Sequence, residues 1–113
     1  MEPAPERLKR RAEFLRVAAK GTKSAMPGLV LQARRRDDAG PSRLGFTVTK
    51  KVGGAVVRNR VRRRLKEAAR AVFRDKPVTA VDLVLIGRAE TRRRGFAALV
   101  DDLRRALART GVS

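Results

Sequence analysis

The segment between residues 57 and 73 constrains the fold of this 113-residue chain most, because its apolar residues recur at the spacing of an α-helix. At about 100° per residue, these residues fall within one narrow stripe. The stripe consists of Val57, Val61, Leu65, Ala68 and Val72. An apolar stripe is stable when it is buried against another layer, so the pattern predicts a helix over about residues 56–74 that packs on a sheet.

Two segments predict strands, because their side chains alternate with a period of two. They are residues 28–36 and 43–50, and a turn rich in Asp, Gly and Pro separates them. Their apolar sides carry Leu29, Leu31 and Ala33, and then Leu44, Phe46 and Val48. Their opposite sides carry Val30, Gln32 and Arg34, and then Thr47, Thr49 and Lys51. The pattern predicts a hairpin with one core face and one open face.

Three further segments have helix or strand patterns. Residues 7–19 predict a first helix, whose apolar side carries Leu8, Ala12, Leu15 and Ala19. Residues 22–27 are irregular, with room for one short edge strand. The apolar run at 82–87 predicts a buried central strand. A last helix spans about 95–109, and its apolar stripe consists of Phe96, Leu99, Val100, Leu103 and Leu107.

The order of these elements is α-β-β-α-β-α, which predicts an α+β fold. We expect a two-layer sandwich with helices on one or both faces of a small sheet. A chain of 113 residues has room for one core, so we expect a single domain over residues 1–113. Residues 1–6 contain two prolines and are expected to fray.

The charge of the chain points to a polyanionic partner. Lys and Arg number 29 against 11 Asp and Glu, which gives a net charge of +18. On the predicted second helix, Arg58 and Arg62 lie one turn apart along one border of the apolar stripe. Two cations at this spacing repel each other and destabilise the helix unless an anion binds them. The alternative is an ordinary solvated charged face.

Residues that catalyse reactions are scarce in this sequence. It contains no Cys and no His, so zinc knuckles, thiol nucleophiles and a histidine base are excluded. The acidic pairs Asp37–Asp38 and Asp101–Asp102 lack a third metal ligand and are expected to be surface charges. No apolar run is long enough to span a membrane, and no secretory signal is present. We therefore expect a cytoplasmic, basic binding protein that does not engage a membrane.

One string of residues resembles a known family. Phe46-Thr-Val-Thr-Lys-Lys-Val-Gly53, followed by Ala55-Val-Val-Arg-Asn-Arg-Val-Arg-Arg63, is similar to the strand and "RNR" helix of the bacterial ribonuclease P protein subunit. The opening Arg7-Leu-Lys and the placement of Phe14, Val17 and Gly21 are similar as well. The resemblance covers about residues 7 to 109, nearly the whole chain.

The resemblance implies a subunit of an endoribonuclease that has no catalytic residues of its own. Members of this family partner a catalytic RNA, one protein per RNA, and assist removal of the 5′ leader from precursor tRNA. The RNA carries the chemistry and binds most of the catalytic Mg²⁺. The implied fold is shared with a ribosomal small-subunit domain and contains a left-handed βαβ crossover, whereas physical rules alone predict a right-handed one.

The resemblance also assigns binding residues. Those implied to contact RNA are Lys50, Lys51, Arg58, Asn59, Arg60, Arg62 and Arg63. Those implied to line the cleft for the leader are Phe14, Val30, Gln32, Thr47, Arg58, Asn59 and Arg62. Many family members carry aromatic residues where this chain has Ala18 and Gln32, so leader contact here is expected to depend more on phosphate than on stacking. The alternative role of Phe14 is packing in the core.

Two other classes of protein share this size and charge. A structural ribosomal or nucleoid protein would purify with ribosomes or bulk DNA, whereas a ribonuclease P subunit would purify with one structured RNA. A protein of the membrane surface would bind liposomes without RNA.

Overall fold

A computed structural model describes residues 5–38, 40–75 and 80–112 of the chain, apart from the side chain of residue 75. Within these residues, three α-helices and one short 3-10 helix accompany a sheet of five strands. The elements are β1 (Glu6–Arg7), α1 (Arg11–Lys20), β2 (Thr22–Ala25), β3 (Leu29–Arg35), β4 (Arg43–Thr47), α2 (Ala55–Asp75), β5 (Val81–Gly87), the 3-10 helix (Ala89–Arg92) and α3 (Phe96–Thr110).

The sheet has the strand order β1-β4-β5-β3-β2. β5 is the central strand, as predicted, and β2 is the short edge strand that residues 22–27 have room for. The predicted hairpin is wrong, because β3 and β4 do not pair with each other. β5 lies between them, antiparallel to β3 and parallel to β4. A strand that is apolar on both sides is most stable at the centre of a sheet, where both of its faces are covered.

The two faces of the sheet carry different helices. Leu29, Leu31, Leu83 and Leu85 point to the face that α2 and α3 cover, and this side contains the larger core. On the other face, Val84 packs with Val17 of α1 and with Leu8 and Phe14. The α+β class is therefore confirmed, and α1 adds a third layer to the two that were predicted.

Helix α2 packs as its sequence predicts. Val61, Leu65, Ala68 and Val72 are buried, and Val57 packs half-buried against the same core. Because α2 joins the parallel neighbours β4 and β5, the segment forms a βαβ unit. The left hand of this crossover, which the resemblance implies, stays a prediction.

The beginning of the chain departs from the sequence prediction. Residues 1–6 were expected to fray, but Glu6 belongs to β1 and its N–H donates to the carbonyl of Ser42 at 2.8 Å. Residues 1–4 lie outside the described part of the chain. Because this pairing holds residues 6 and 7 extended, α1 begins at Arg11 instead of residue 7.

Two apolar stripes were also assigned incorrectly in part. On α1, Ala12, Leu15 and Ala19 are exposed, whereas Val17 is buried and Phe14 half-buried. The reason is that Phe14 packs over Gly45, where the sheet has no side chain and the helix can approach closely. On α3, the four later members of the stripe are buried, but Phe96 is 45% exposed.

Candidate nucleic-acid interface

The face of the sheet that α1 partly covers contains an open row of side chains. In the strand register, Thr47 of β4 and Val30 of β3 both lie opposite Ile86 of β5. All three are partly exposed. Gln32, also partly exposed, follows in the next row, where Val84 separates it from Gly45. The structure therefore brings Val30, Gln32 and Thr47 together on one accessible face, as the alternation of each strand predicts.

Helix α1 forms the wall of this open face. A Cβ at position 45 would overlap the ring of Phe14, so glycine there allows the ring to lie directly on the backbone of β4. Phe14 also packs with the small core that contains Leu8, Val17 and Val84. Its alternative role in packing is therefore real, and its half-exposed ring still borders the open face. Contact of this ring with a leader stays a prediction.

A chain of ion pairs fixes α1 to the sheet. Nη1 of Arg43 lies 2.6 Å from Glu13 Oε2 on α1, and Nε of the same guanidinium donates to Asp82 Oδ1 at 2.7 Å. Nη2 of Arg43 donates to the other Asp82 oxygen at 2.6 Å. Glu13 also accepts hydrogen bonds from the N–H groups of Arg10 and Lys9, and these bonds, together with Arg43, lower its pKa.

Asp82 is a structural residue that the sequence reading missed. It is 1% exposed and lies on β5, in the row between Arg43 and Arg34. Arg36 donates to it at 2.6 Å, and Arg34 lies 3.6 Å away. Burial raises the pKa of Asp82, but hydrogen bonds from Arg43 and Arg36 outweigh this effect and hold the pKa below its ordinary value. An acidic residue at the start of a buried strand was the available signal, because it requires cationic partners.

The predicted RNA-contacting residues lie on α2 and on the turn before it. Lys50, Lys51, Asn59, Arg60 and Arg63 are exposed, whereas Arg58 and Arg62 are half-buried at the border of the apolar stripe. We call these seven residues the α2 ridge; by helical spacing Arg60 lies on the flank of α2 opposite to Arg58 and Arg62. Arg62 donates to the Oδ1 of Asn59 at 3.1 Å, so one side chain orients the other. The Nε of Arg58 is buried and has no hydrogen-bond partner among the described residues.

The α2 ridge does not stand on the open face. α2 packs on the opposite side of the sheet, where Val61 lies so close to Gly87 that a Cβ there would overlap it. Gly87 ends β5, and Thr47 ends the parallel strand β4. The first turns of α2 therefore lie at the end of the sheet that carries Thr47 and Ile86. Arg58, Asn59 and Arg62 therefore belong to the layer opposite the open face, in the turns of α2 that lie at this end of the sheet.

Other charged groups maintain the fold. Arg64, in the middle of the basic string, donates to the carbonyl of Thr91 at 3.0 Å and to the carbonyl of Arg94. Asp102 was expected at the surface, but it is buried and accepts from Arg94 and from the N–H of Gly28. Asp101 is a surface charge, as expected, and forms an exposed ion pair with Arg105.

The chemistry of the described residues limits what this surface can do. No group of three or more Asp, Glu, His or Cys side chains in the described ranges is placed to hold a metal ion. Within the same ranges, no helix combines the length and the apolar character needed to cross a membrane.

Comparison with known proteins decides the family. The model of the family described as Ribonuclease P matches residues 3–111. This chain belongs to the ribonuclease P protein family. It is 65% identical over 112 residues to the ribonuclease P protein component of Gluconacetobacter diazotrophicus, with 99% of this chain and 97% of that one covered. It is 51% identical to that of Paramagnetospirillum magneticum, with 94% and 83% covered.

Solved structures agree with this assignment. The ribonuclease P protein of Staphylococcus aureus superposes with a TM-score of 0.77 at 27% identity, covering 96% of this chain and 98% of that one. The protein of Thermotoga maritima gives a TM-score of 0.66 at 30% identity, covering 88% and 93%. The chain is thus a protein component of ribonuclease P, the endoribonuclease that matures the 5′ end of tRNA, and its family implies a ribonuclease P RNA as partner.

The ridge leads to a prediction about salt dependence. Arg58→Ala and Arg62→Ala should each weaken binding of the ribonuclease P RNA without unfolding the domain, because both residues border the buried stripe without belonging to it. Each lost phosphate contact should reduce the slope of log affinity against log salt by about one unit or slightly less. Filter binding at several salt concentrations measures the slope, and Arg70→Ala on the same helix is the matched control. Unchanged slopes in both variants would show that the ridge faces solvent.

Proposed function

We propose that this chain binds the catalytic RNA of ribonuclease P through the α2 ridge and the 5′ leader of precursor tRNA through the open face of its sheet. One protein acts with one RNA in the cytoplasm, and the RNA holds most of the catalytic Mg²⁺. The observation that carries the proposal is the joint placement of Phe14, Val30, Gln32 and Thr47 on one accessible face.

The shape of the open face suits a single strand of RNA. It lies between the wall formed by α1 and the end of the sheet where α2 begins, so an extended chain can follow it. An A-form duplex suits it poorly, because side chains do not reach the bases in its deep and narrow major groove. The leader of a precursor tRNA is the single-stranded segment that the family's reaction removes.

The contacts to this strand are expected to be mainly electrostatic. Ala18 is exposed and Gln32 is half-buried, so a base could reach both positions. Neither residue has an aromatic ring on which the base could stack. Phe14 offers only the part of its ring that the core leaves exposed. Arg58 and Arg62 border the same end of the sheet and supply positive charge for phosphates.

The contribution of the chain to catalysis is to bind and orient the substrate. Metal-assisted attack on the phosphodiester bond is chemistry that the RNA and its Mg²⁺ supply. The protein neutralises phosphates and holds the leader extended, which raises the affinity of the assembled enzyme for precursor over mature tRNA. The ion pairs of Arg43 hold α1 in place and thereby keep the cleft at one width.

Leader length provides the test of this proposal. Affinity of the assembled enzyme should rise as the leader grows by a few nucleotides and then level off, because about one or two nucleotides do not reach far across the open face. The gain should diminish at high salt, because few rings are available for stacking. The measurement is binding of precursor tRNAs with graded leaders at two salt concentrations.

Two outcomes would count against this account of the cleft. Equal affinity at low salt for mature tRNA and for a precursor with a long leader would contradict the assignment of the leader to the open face. A gain that persists undiminished at high salt would contradict the electrostatic contact and indicate stacking instead, with Phe14 as the first residue to substitute.

The protein without RNA is expected to have no nuclease activity, because the sequence contains no His and the described residues hold no metal cluster. RNA-free protein should leave precursor tRNA intact over hours at saturating Mg²⁺. An mRNA is a useful second substrate, because one matching structure is a Staphylococcus aureus ribonuclease P protein mutant with defective mRNA degradation activity. If an activity that cleaves either RNA stays with the protein when it is purified through a denaturing step, this prediction is overturned.

A further inference from the structure

A turn beside α2 combines two cations with an exposed aromatic ring. Arg92 ends the 3-10 helix and Arg93 follows it, and both side chains are exposed. Neither guanidinium forms a hydrogen bond or ion pair with another described residue. Phe96, the first residue of α3, is 45% exposed. We call Arg92, Arg93 and Phe96 the basic turn.

Hydrogen bonds to α2 and to Gly28, the residue before β3, hold the backbone around the basic turn. Arg64 of α2 donates to the carbonyls of Thr91 and Arg94, on either side of the two free arginines. Thr91 is fully buried, and its hydroxyl donates to the carbonyl of Gly28 at 2.6 Å. These bonds fix the turn before any partner arrives, which lowers the entropy that binding would cost.

The arginines of this segment fall into two groups. Arg94 donates from Nε and Nη2 to the buried carboxylate of Asp102 at 3.0 and 3.1 Å. Arg88 donates to the carbonyl of Met26 at 2.6 Å. These two therefore maintain the fold, whereas Arg92 and Arg93 contribute nothing to it that the structure shows. Unpaired cations on a fixed turn are available for an anion.

The exposure of Phe96 has no explanation in the packing of α3. The other apolar members of its stripe, Leu99, Val100, Leu103 and Leu107, are all buried. The neighbouring Gly95 is exposed as well, and a Cβ there would meet no atom within 4 Å outside residues 94–96. A ring exposed beside cations is the combination on which proteins stack the bases of unpaired RNA.

The basic turn lies beside the flank of α2 that carries Arg60. Arg60 lies four residues before Arg64 and therefore one turn away along the same flank of the helix. Because Arg64 donates to the carbonyls of Thr91 and Arg94, which flank the two exposed arginines, Arg60 is the member of the α2 ridge on the same flank as the basic turn. A strand of RNA that crosses the ridge at Arg60 can thus continue to Arg92 and Arg93.

We propose that the basic turn is a second RNA-binding site, which stacks one unpaired base on Phe96 and neutralises the neighbouring phosphates with Arg92 and Arg93. The inference rests on the proposed function, because it takes RNA as the partner. Bases inside a duplex present no free face to a ring, so the nucleotide must be unpaired. The segment belongs either to the ribonuclease P RNA or to the precursor tRNA.

The test compares three variants of the full chain that remove single features. Phe96→Leu keeps an apolar side chain and helix propensity but removes the ring. Arg92→Ala combined with Arg93→Ala removes both cations. Arg105→Ala combined with Arg109→Ala, at exposed positions of α3, lowers the net charge by the same amount and is the matched control. Thermal unfolding of each variant confirms that the domain remains folded.

Two binding measurements identify the source of the nucleotide. The first is affinity of the protein for ribonuclease P RNA, and the second is affinity of the assembled enzyme for a long-leader precursor tRNA. We expect Phe96→Leu to weaken one of them by about fivefold or more, and to do so at both low and high salt. We expect the double variant at Arg92 and Arg93 to lower the salt slope of the same measurement by about one to two units.

Each result has one meaning. Loss of affinity in the first measurement shows that the nucleotide belongs to the ribonuclease P RNA, and loss of affinity in the second shows that it belongs to the precursor tRNA. Both results support the proposal. If Phe96→Leu binds like the wild type in both, or if the control at Arg105 and Arg109 weakens binding as much as the variant at Arg92 and Arg93, the proposal is overturned. Failure of the wild type itself to bind ribonuclease P RNA would instead refute the proposed function.

Discussion

Replacing Asp82 with alanine is expected to destabilise the folded domain by about 3–5 kcal/mol, a large part of the stability of a small domain. The carboxylate is 1% exposed and accepts hydrogen bonds from Arg36 and Arg43. Without it, these guanidinium groups and that of Arg34 remain close together with no buried anion between them. Urea unfolding, monitored by circular dichroism, measures this loss in the free energy of unfolding.

A matched substitution separates this effect from the loss of any acidic side chain. Asp101→Ala removes a carboxylate of the same size from an exposed ion pair with Arg105. This variant is expected to lower the free energy of unfolding by only about 0–1 kcal/mol. Equal losses in the two variants would contradict the role assigned to Asp82, because a buried anion must matter more than an exposed one.

Acid should reduce the difference between wild type and Asp82→Ala. The pKa of Asp82 is lower in the folded chain than its ordinary value of 3.8. A depressed pKa means that the stabilisation is fully present above the unfolded-state pKa and is lost as the pH falls through the folded-state pKa. The difference in free energy of unfolding should therefore be constant above about pH 5 and shrink below pH 3.8. A difference that grows towards acid pH would contradict the ion-pair explanation.

Val61→Asp is expected to abolish cooperative folding. Val61 is completely buried between α2 and the sheet, beside Gly87, and an unpaired carboxylate there costs several kcal/mol. The packing lost with the valine side chain adds to this cost. Because a domain of this size is stabilised by about 5–15 kcal/mol in total, little of the folded state should remain.

The control for this variant lies on the same helix. Val56→Asp makes the same chemical change at a position that is 77% exposed, in the first turn of α2, where a negative charge interacts favourably with the helix dipole. It should melt at or above the temperature of the wild type. If Val61→Asp melts like Val56→Asp, the rotational position of α2 is wrong and the placement of Arg58 and Arg62 is wrong with it.

The features of the fold that depend on the periodicity of apolar residues could be predicted from the sequence. The stripe on α2 sets the rotation of that helix, and the alternation in β3 and β4 sets which side chains share a face, so Val61 and Gln32 are where their patterns place them. The neighbours of each strand were not predictable in the same way. Alternation fixes the face of a strand but not its partner, and β5 separated the two strands that a hairpin would have joined.

Features built from distant residues were also missed. β1 has only two residues and therefore no period to detect, and it exists because Arg43 and Leu44 offer it a free edge. The burial of Asp82 depends on arginines from β3, the following turn and β4, which meet only in the folded sheet. The side of the sheet on which α2 lies depends on the crossover, which no local pattern specifies.

Reconstitution tests the central claim most directly. The full chain is combined with the ribonuclease P RNA of the same organism at low Mg²⁺, and removal of the 5′ leader from precursor tRNA is measured by gel. We expect cleavage at the mature 5′ end by the assembled enzyme, much slower cleavage by the RNA alone, and none by the protein alone. Equal rates with and without the protein, across leader lengths and Mg²⁺ concentrations, would contradict the central claim.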